Sequence, residues 1–368
     1  MIGIATALLA ALGLLALAAL VLLLADGVRT LLHRRRQERA ARPLLLRVAT
    51  RREQADLLVL HLQAPRRARL PAFAAGQHIL LRVPAGPAGR ILQRAYSLAA
   101  WTPRPHRYEL GIKREPQGAA SPWIWDHLKA GSELQVSRPR GHFVLEPAQA
   151  EIVLIGGGIG ITPMRAMLHA ALASGAPRVL LWHAARTEAE LLYREEFEAL
   201  AEADRRVDYR CLLSRPAGDW SGRRGRLDAA RVLEAVQQPA TADFYMCAGS
   251  ALMEALCDGL LVAGVERSRI RFEAFGLPPG EGVSGQTVAL EDGREYVMAG
   301  EPSLLALLEA HDAAPASECR AGTCGQCRVR LLSGEVRWLL PAGVEMAERE
   351  ILTCVCAPVG DVRLALAG

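Results

Sequence analysis

The sequence has few aromatic side chains and almost no lysine. Phe, Trp and Tyr make up 5% of its 368 residues, and Lys113 and Lys129 are the only lysines among 44 basic residues. Nucleic-acid binding is not indicated, because the arginines are scattered outside one run and a base-stacking surface would need more rings. The net charge of +5 is mild. The length predicts two or three domains, each with its own core.

Several metal-site patterns are also missing. The sequence contains no haem-ligand motif and no carboxylate–histidine iron site, which argues against a self-contained oxygenase. A structural zinc site usually has paired C-x2-C knuckles, and only Cys324 and Cys327 have this spacing. A disulfide framework needs an oxidising compartment and usually a small secreted domain, which this chain does not resemble. The eight cysteines therefore indicate thiols that face a reducing cytosol.

Three cysteines lie within nine residues, at Cys319, Cys324 and Cys327. The spacing C-x4-C-x2-C, with one more cysteine downstream, is typical of a [2Fe-2S] cluster held by four thiolates. Gly322 and Gly325 allow the backbone to wrap the cluster and to bring N–H groups toward the sulfurs. The fourth ligand is Cys354 or Cys356. These two lie two residues apart, so the period of a strand would point both the same way.

Residues 1–25 contain no charge and are nearly all Ala, Leu, Ile and Val. At ~1.5 Å per residue, such a helix crosses a hydrocarbon core of ~30 Å. A basic juxtamembrane segment, residues 26–42, follows and contains Arg29, Arg34, Arg35, Arg36, Arg39 and Arg42. By the positive-inside rule, the sequence predicts a single-pass protein of the cell inner membrane, with its N-terminus outside and its catalytic domains in the cytoplasm.

Residues 43–148 consist of short alternating runs broken by Pro and Gly, which predicts an antiparallel β-barrel. Arg94, Tyr96 and Ser97 offer a guanidinium for phosphate, a ring for stacking and a hydroxyl. Gly76–Ile79 and Arg94–Ser97 resemble the flavin domain of the ferredoxin–NAD(P)H reductase superfamily. The resemblance implies that Arg94 and Tyr96 hold a flavin and that Ser97 borders its reactive edge.

A second stretch of this barrel resembles the family's other phosphate-binding segment. It comprises Ile112–Lys113 and Gly118–Ser121, and the resemblance implies that Lys113, Gly118 and Ser121 contact the flavin phosphates. A helix N-terminus favours an anion at this place. The alternative is an ordinary helix capped by Ser121 before Pro122. Both interpretations can hold together.

Residues 149–275 predict an α/β domain with a parallel sheet. Glu151–Ile155 is a buried-strand run, a glycine-rich turn follows it, and a helix is predicted from Met164. Further strands are predicted at 178–183, 207–213 and 243–247. A glycine-rich turn between strand and helix suits a dinucleotide, and this one resembles the family's G-G-x-G-x-T-P motif. The implied dinucleotide-binding residues are Gly157, Gly158, Gly160 and Thr162.

Two later motifs complete the resemblance to the reductase superfamily. Cys247-Ala248-Gly249-Ser250 resembles the family's C-G-x motif beside the nicotinamide, with Ala248 in place of a glycine. Arg271–Phe275 resembles its terminal E-x-F. The resemblance implies that Cys247 and Glu273 border the hydride-transfer site with Ser97, and that Gly249 and Phe275 help to bind the cofactors.

Residues 276–285 are a linker by composition, and residues 286–368 form the last domain. A hairpin is predicted around Glu291–Gly293 and a helix near residues 303–311. Residues 284–368 resemble plant-type ferredoxins, which implies an α+β, β-grasp-like fold. The match of Ile351–Cys354 to their fourth-ligand segment favours Cys354 over Cys356.

The order of these domains resembles the phthalate dioxygenase reductase type of iron–sulfur flavoprotein. The resemblance implies a reductase that passes electrons from NADH (alternatively NADPH) through FAD (alternatively FMN) to a [2Fe-2S] cluster, and the apolar residues 1–25 add a membrane anchor to it. Ser214–Arg215 suits NADPH, whereas Trp220–Gly225 is more similar to NADH users. The expected acceptor is a membrane-bound di-iron desaturase or hydroxylase, or alternatively a Rieske-type oxygenase. A membrane-bound redox sensor or scaffold without sustained turnover is the alternative function.

Overall fold

The computed structural model describes residues 42–65, 68–85, 91–116, 118, 120–147, 150–275, 282–317, 320–322, 324–340, 342 and 344–366. The predicted membrane helix, residues 1–25, and nearly all of the basic segment after it lie outside these ranges. Cys319 also lies outside them. Among the residues that are described, no helix is both long enough and apolar enough to span a bilayer.

The first domain is an antiparallel barrel, as the alternating runs predict. Its elements are β1 (Leu44–Gln54), β2 (Leu57–Gln63), β3 (His78–Val83), β4 (Leu92–Ser97), β5 (Arg107–Lys113), α1 (Ala120–His127) and β6 (Glu133–Val136). The strand order is β4-β3-β6-β1-β2-β5. The two outer strands meet where an antiparallel bridge joins Leu98 to Leu110. Leu58, Leu60 and Leu62 of β2 are fully buried inside it.

The second domain is a parallel sheet between helices. Its elements are β7 (Ile152–Gly157), α2 (Ile161–Ala173), β8 (Val179–Ala185), α3 (Arg194–Ala203), β9 (Val207–Leu213), β10 (Arg223–Arg224), α4 (Ala229–Leu233), β11 (Asp243–Ala248), α5 (Ser250–Val262) and β12 (Ile270–Ala274). The strand order is β10-β9-β8-β7-β11-β12. The chain runs from β7 to β10 on one side of the sheet and then continues with β11 and β12 on the other side, so the order of connection reverses between β7 and β11. Ligands of such sheets bind at this switch point, beyond the carboxyl ends of the strands.

The third domain has a mixed sheet and one helix. Its elements are β13 (Val283–Leu290), β14 (Glu295–Glu301), α6 (Leu304–Ala310), β15 (Arg328–Ser333), β16 (Val336–Trp338), β17 (Glu350–Leu352), β18 (Cys356–Pro358) and β19 (Val362–Leu366). The main sheet has the order β14-β13-β19-β15-β17. The predicted hairpin and helix are both present, and the Ser303 side chain caps α6 by accepting a hydrogen bond from Ala306 N–H.

A buried polar contact joins the barrel to the parallel-sheet domain. Arg165 of α2 donates to the carbonyl of Ala99 and to the carboxyl of Glu109, which also bonds His61 at 2.9 Å. Burial would raise the pKa of Glu109, but the bond to His61 and the charge of Arg165 lower it to about 2. A buried carboxylate stays ionised at this pKa only while its partners neutralise it. The bonds of Glu109 to His61 and Arg165 therefore hold the barrel and the parallel-sheet domain together.

The third domain packs directly on the second. Leu305, Ala321 and Leu340 belong to the same buried apolar cluster as Phe272 and Ala274 of β12. The linker predicted at 276–285 is shorter than its composition suggests, because Val283–Gly285 already lie in β13. Gly282 needs to be glycine for packing, since a Cβ there would lie 1.6 Å from the carbonyl oxygen of Gly300.

Candidate functional site

Three residues from two domains meet at the junction of the barrel and the parallel sheet. Ser97 ends β4, Glu273 lies in β12, and Cys247 pairs with Glu273 in the parallel register of β11 and β12. The Ser97 hydroxyl donates to Glu273 Oε2 at 3.2 Å. All three side chains are buried. The structure thus brings together the three residues predicted to border the hydride-transfer site.

The Cys247 side chain is a neutral thiol. Burial, reinforced by the nearby charge of Glu273, holds its pKa well above the ordinary value. Ala248, which stands where the family has a glycine, fits because Gly157 leaves room for it. A Cβ on Gly157 would lie 2.6 Å from the Ala248 methyl group. Ala248 therefore replaces the glycine of the family motif without a steric clash.

The glycine-rich turn lies at the switch point. Gly158–Gly160 form a turn of 3-10 helix that runs directly into α2, so the helix begins at Ile161 and not at Met164. A Cβ on Gly160 would lie only 1.9 Å from the Cys247 carbonyl oxygen. This close approach places the N-terminus of a 13-residue helix beside Cys247. Backbone N–H groups at such an end suit a pyrophosphate.

Thr162 has a packing role in this structure. Its hydroxyl donates to the carbonyl of Ile159 at 2.9 Å, and its side chain is buried. A Cβ on Gly111 of β5 would lie 2.5 Å from the Thr162 methyl group. The residue therefore fits the barrel against the start of α2, and its contact with the dinucleotide stays a prediction.

Arg94 and Tyr96 lie on β4, two residues apart and so on the same face. Burial raises the pKa of Tyr96 to about 12, with the charge of Arg94 opposing the shift. Burial lowers the pKa of Arg94, and the charge of Arg320 from the third domain lowers it further. The charge of Glu309, which Arg320 bonds at 2.9 Å, opposes these shifts. A guanidinium suits a phosphate, and the contact of Arg94 with a flavin phosphate stays a prediction.

The second predicted phosphate segment is only partly described, because residues 117 and 119 lie outside the described ranges. Lys113 lies at the end of β5, with its Nζ 3.6 Å from Asp56. Gly118 donates to the carbonyl of Glu115. Ser121 lies inside α1, and its hydroxyl accepts from Glu115 N–H at 2.9 Å. Ser121 thus ties down the turn before the helix and is not its N-cap.

Gly249 and Phe275, the other two predicted cofactor-binding residues, lie at the carboxyl edge of the sheet. Gly249 is the N-cap of α5, and no atom would lie within 4 Å of a Cβ added there. Phe275 follows β12 and is 42% exposed. There is thus space beside Gly249, and Phe275 is partly exposed, while the contacts of both residues with the cofactors stay predictions.

The cysteine loop is strongly curved. Arg320, Gly322 and Gly325 have φ values of 55°, 75° and 73°. The hydroxyl of Thr353 and its backbone N–H both donate to the carbonyl of Cys327, at 3.1 and 3.2 Å, and so hold the fourth-ligand segment against the loop. The described residues, which leave out Cys319, contain no set of three His, Cys, Asp or Glu grouped as a metal site.

Cys354 and Cys356 pack in different apolar clusters, although the charge of Cys327 adds to burial in raising the pKa of Cys356 to about 12. Cys354 shares a buried cluster with Cys327 and Ala321, whereas Cys356 belongs to the core of the third domain. The cause is a 3-10 turn over Thr353–Val355, which interrupts the two-residue period of a strand. The thiols of Cys324, Cys327 and Cys354, with Cys319 of the same sequence motif, are the donors that a [2Fe-2S] cluster requires.

One residue of the site has no role in the sequence analysis. His78 lies within the quoted Gly76–Ile79 motif, and it is directly opposite Ser97 in the antiparallel register of β3 and β4. Its Nδ1 lies 3.6 Å from Glu273 Oε1. If the two short motifs are paired as neighbouring strands, the sequence places His78 beside Ser97.

Three protein-family models match the chain, one for each domain. They describe an oxidoreductase FAD-binding domain at residues 48–145, an oxidoreductase NAD-binding domain at residues 154–258 and a 2Fe-2S iron-sulfur cluster binding domain at residues 288–359. Together with the backbone N–H groups, side chains and thiols described above, these three matches establish FAD, NADH and a [2Fe-2S] cluster as the cofactors.

Curated relatives and solved structures agree with this assignment. The chain is 32% identical over 317 residues to phenoxybenzoate dioxygenase subunit beta of Ectopseudomonas oleovorans, which covers 84% of this chain and 92% of the relative. It is 28% identical over 313 residues to the ferredoxin reductase component of 3-ketosteroid-9-alpha-monooxygenase from Rhodococcus rhodochrous, covering 79% and 86%. The structure of phthalate dioxygenase reductase has 27% identity and a TM-score of 0.63, covering 89% and 98%. The chain therefore belongs to the phthalate dioxygenase reductase type of NAD(P)H-dependent iron–sulfur flavoprotein oxidoreductases.

Proposed function

We propose that the hydride of NADH enters where Ser97, Cys247 and Glu273 meet. The observation that carries this proposal is the hydrogen bond of 3.2 Å between Ser97 and Glu273, because it joins the flavin-binding domain to the NAD-binding domain. In this family, electrons pass from NAD(P)H through FAD to the [2Fe-2S] cluster for use by an oxygenase. FAD accepts an electron pair and releases single electrons, which matches a two-electron donor to a one-electron cluster.

The protein residues contribute orientation to this step. Gly160 brings the start of α2 against the carbonyl of Cys247, so a dinucleotide held at the helix N-terminus extends toward the thiol. The Cys247 thiol is buried, and burial holds its pKa well above the ordinary value, which favours the uncharged thiol at this place. The carboxyl of Glu273 accepts the hydrogen bond of the Ser97 hydroxyl and so fixes the orientation of its O–H group.

Replacing Glu273 by Gln is expected to slow flavin reduction by NADH about ten- to a hundred-fold, because misplacing a positioned group by about 1 Å costs this much. Flavin content should stay normal. The measurement is anaerobic stopped-flow reduction of the bound flavin. Glu254→Gln is the matched control, since Glu254 is an exposed carboxyl of the same domain. A wild-type rate in Glu273→Gln would remove Glu273 from the hydride site.

The second part of the proposal is that residues 1–25 anchor the reductase in the inner membrane with its catalytic domains in the cytoplasm. Support comes from the uncharged apolar run and from the arginines that follow it. Confinement to the bilayer raises the effective concentration of an acceptor in the same membrane without requiring a strong interface. This argument favours a membrane-bound di-iron desaturase or hydroxylase as the acceptor.

A Rieske-type oxygenase is the second candidate acceptor. The observation in its favour is the similarity to phenoxybenzoate dioxygenase subunit beta, whose name refers to a dioxygenase. A soluble oxygenase would not need its reductase in a membrane. The role of residues 1–25 therefore discriminates between the two acceptors.

Deleting residues 1–42 is expected to move the protein from the membrane fraction to the supernatant and to leave NADH–ferricyanide turnover unchanged. Turnover of the physiological substrate in cells should fall, because the local concentration of the acceptor is lost. Replacing residues 1–25 by an unrelated transmembrane helix is the control and should restore it. Full cellular turnover by the truncated protein at matched expression would favour the soluble oxygenase.

A further inference from the structure

We infer that His78 is a positioning residue for hydride transfer, which acts by fixing the carboxyl group of Glu273. The inference rests on the proposed role of the Ser97–Glu273 contact and adds a second residue to it. In this assignment, one carboxyl oxygen receives the Ser97 hydroxyl and the other faces the His78 ring. The residue comes from the flavin barrel, whereas the carboxyl comes from the NAD-binding domain.

The two contacts involve the two oxygens of one carboxyl group. Ser97 Oγ lies 3.2 Å from Glu273 Oε2, and His78 Nδ1 lies 3.6 Å from Oε1. His78 and Ser97 are directly opposite each other in the antiparallel register of β3 and β4, so their side chains share one face of the barrel. The Glu273 carboxyl thus contacts two neighbouring side chains of the barrel, one through each of its oxygens.

The position of the His78 ring is fixed by its surroundings. The backbone of His78 exchanges two hydrogen bonds with Arg140, at 2.9 and 3.0 Å. Gly141 follows with φ +111°, and a Cβ there would lie 2.9 Å from His78 Nδ1. A side chain at residue 141 would therefore displace the His78 ring from this position. The glycine at residue 141 is thus part of what allows the ring to lie beside Glu273.

A second contact is needed because one hydrogen bond leaves the plane of a carboxyl group free to rotate. The distance of 3.6 Å is longer than a hydrogen bond, so the contact with His78 is an electrostatic and orienting one in this state. It acts among buried groups, since His78 and Glu273 are 3% and 5% exposed. Such contacts are stronger in a buried site than in water.

The test compares three substitutions in the full chain by anaerobic stopped-flow. His78→Leu should slow flavin reduction about ten-fold, because the Glu273 carboxyl loses the contact that orients it and the positioned groups move out of line. His78→Asn keeps an N–H near the position of Nδ1 and should recover most of the rate. Val83→Ala is the control, because Val83 is a buried residue of the same strand that pairs with Leu92, outside the flavin motifs, and should keep the wild-type rate.

A double-mutant cycle separates this inference from the proposed hydride site. If His78 acts through Glu273, the pair His78→Leu and Glu273→Gln should be no slower than Glu273→Gln alone. A slow Glu273→Gln variant with a wild-type His78→Leu variant would overturn the role of His78 and keep the hydride site. Wild-type rates in both would overturn both. Multiplicative losses in the double variant would also overturn the inference.

A measurement without turnover complements the kinetics. The ring ¹H and ¹⁵N resonances of His78, assigned from the His78→Asn spectrum, should shift in Glu273→Gln protein. The ring of His169 bonds Glu196 at 2.8 Å, so its resonances should stay in place and serve as the internal control. Unchanged His78 resonances would show that the ring does not interact with this carboxyl group.

Discussion

Replacing Cys324 by Ser is expected to abolish the [2Fe-2S] cluster and to leave reduction of FAD by NADH intact. A hydroxyl replaces one of four thiolate ligands, and three thiolates do not complete the sulfur cage. Cytochrome c reduction that depends on the cluster should fall to background, whereas ferricyanide reduction by the flavin should persist. Iron content and the visible spectrum of anaerobically purified protein measure the first effect, and stopped-flow measures the second.

Cys356→Ala is the matched control for this prediction. Cys356 is as buried as Cys354, but its side chain belongs to the core of the third domain and not to the cluster with Cys327. Its loss should cost about 1 kcal/mol through the removed sulfur and should leave the iron content normal. A Cys324→Ser protein with full iron content, or a folded Cys356→Ala protein without iron, would overturn the assignment of ligands.

The parallel sheet could be predicted from the sequence because its strands are continuous buried runs. The predicted range 207–213 matches β9, and the predicted ranges 178–183 and 243–247 differ from β8 and β11 by one or two residues at their ends. The glycine-rich turn was also readable. Its glycines follow a buried strand, and only glycine allows the approach that Gly160 makes to Cys247.

Other features depend on contacts that local patterns do not contain. Glycine content alone cannot separate a linker from close packing, so Val283–Gly285 was assigned to a linker although Gly282 packs against the carbonyl of Gly300. Ser121 precedes a proline, which is typical of an N-cap, but its hydroxyl is used by Glu115 N–H from the preceding turn. In both places a tertiary contact decides the role of the residue.

The site residues show the same limit. Ser97, Cys247 and Glu273 were found through motifs, and the structure supplies what the motifs lack, namely that they meet across two domains. His78 was missed because its partner lies 195 positions away in another domain, on a strand that only the fold brings near. The motif match favoured Cys354 over Cys356, and the structure adds the physical difference between them, a 3-10 turn at Thr353–Val355 that strand periodicity does not reveal.

Replacing Gly160 by Ala is expected to destabilise the NAD-binding domain and to weaken NADH binding together. The new Cβ would lie 1.9 Å from the carbonyl oxygen of Cys247 and 2.6 Å from its carbon, and backbone atoms in the centre of a sheet cannot move aside cheaply. We expect a loss of about 3 kcal/mol in the free energy of unfolding, the upper part of the range for overpacking. Urea unfolding and NADH titration of the flavin-loaded protein measure the two effects.

Gly175→Ala is the control that separates a steric clash from the general cost of removing a glycine. Gly175 follows α2 in the same domain with φ +83°, and no atom would lie within 4 Å of its Cβ. The left-handed backbone alone should cost about 1 to 2 kcal/mol and should leave the NADH affinity unchanged. If Gly160→Ala costs no more than Gly175→Ala and binds NADH normally, the turn can move away from Cys247. The close approach would then not be what places the dinucleotide at the switch point.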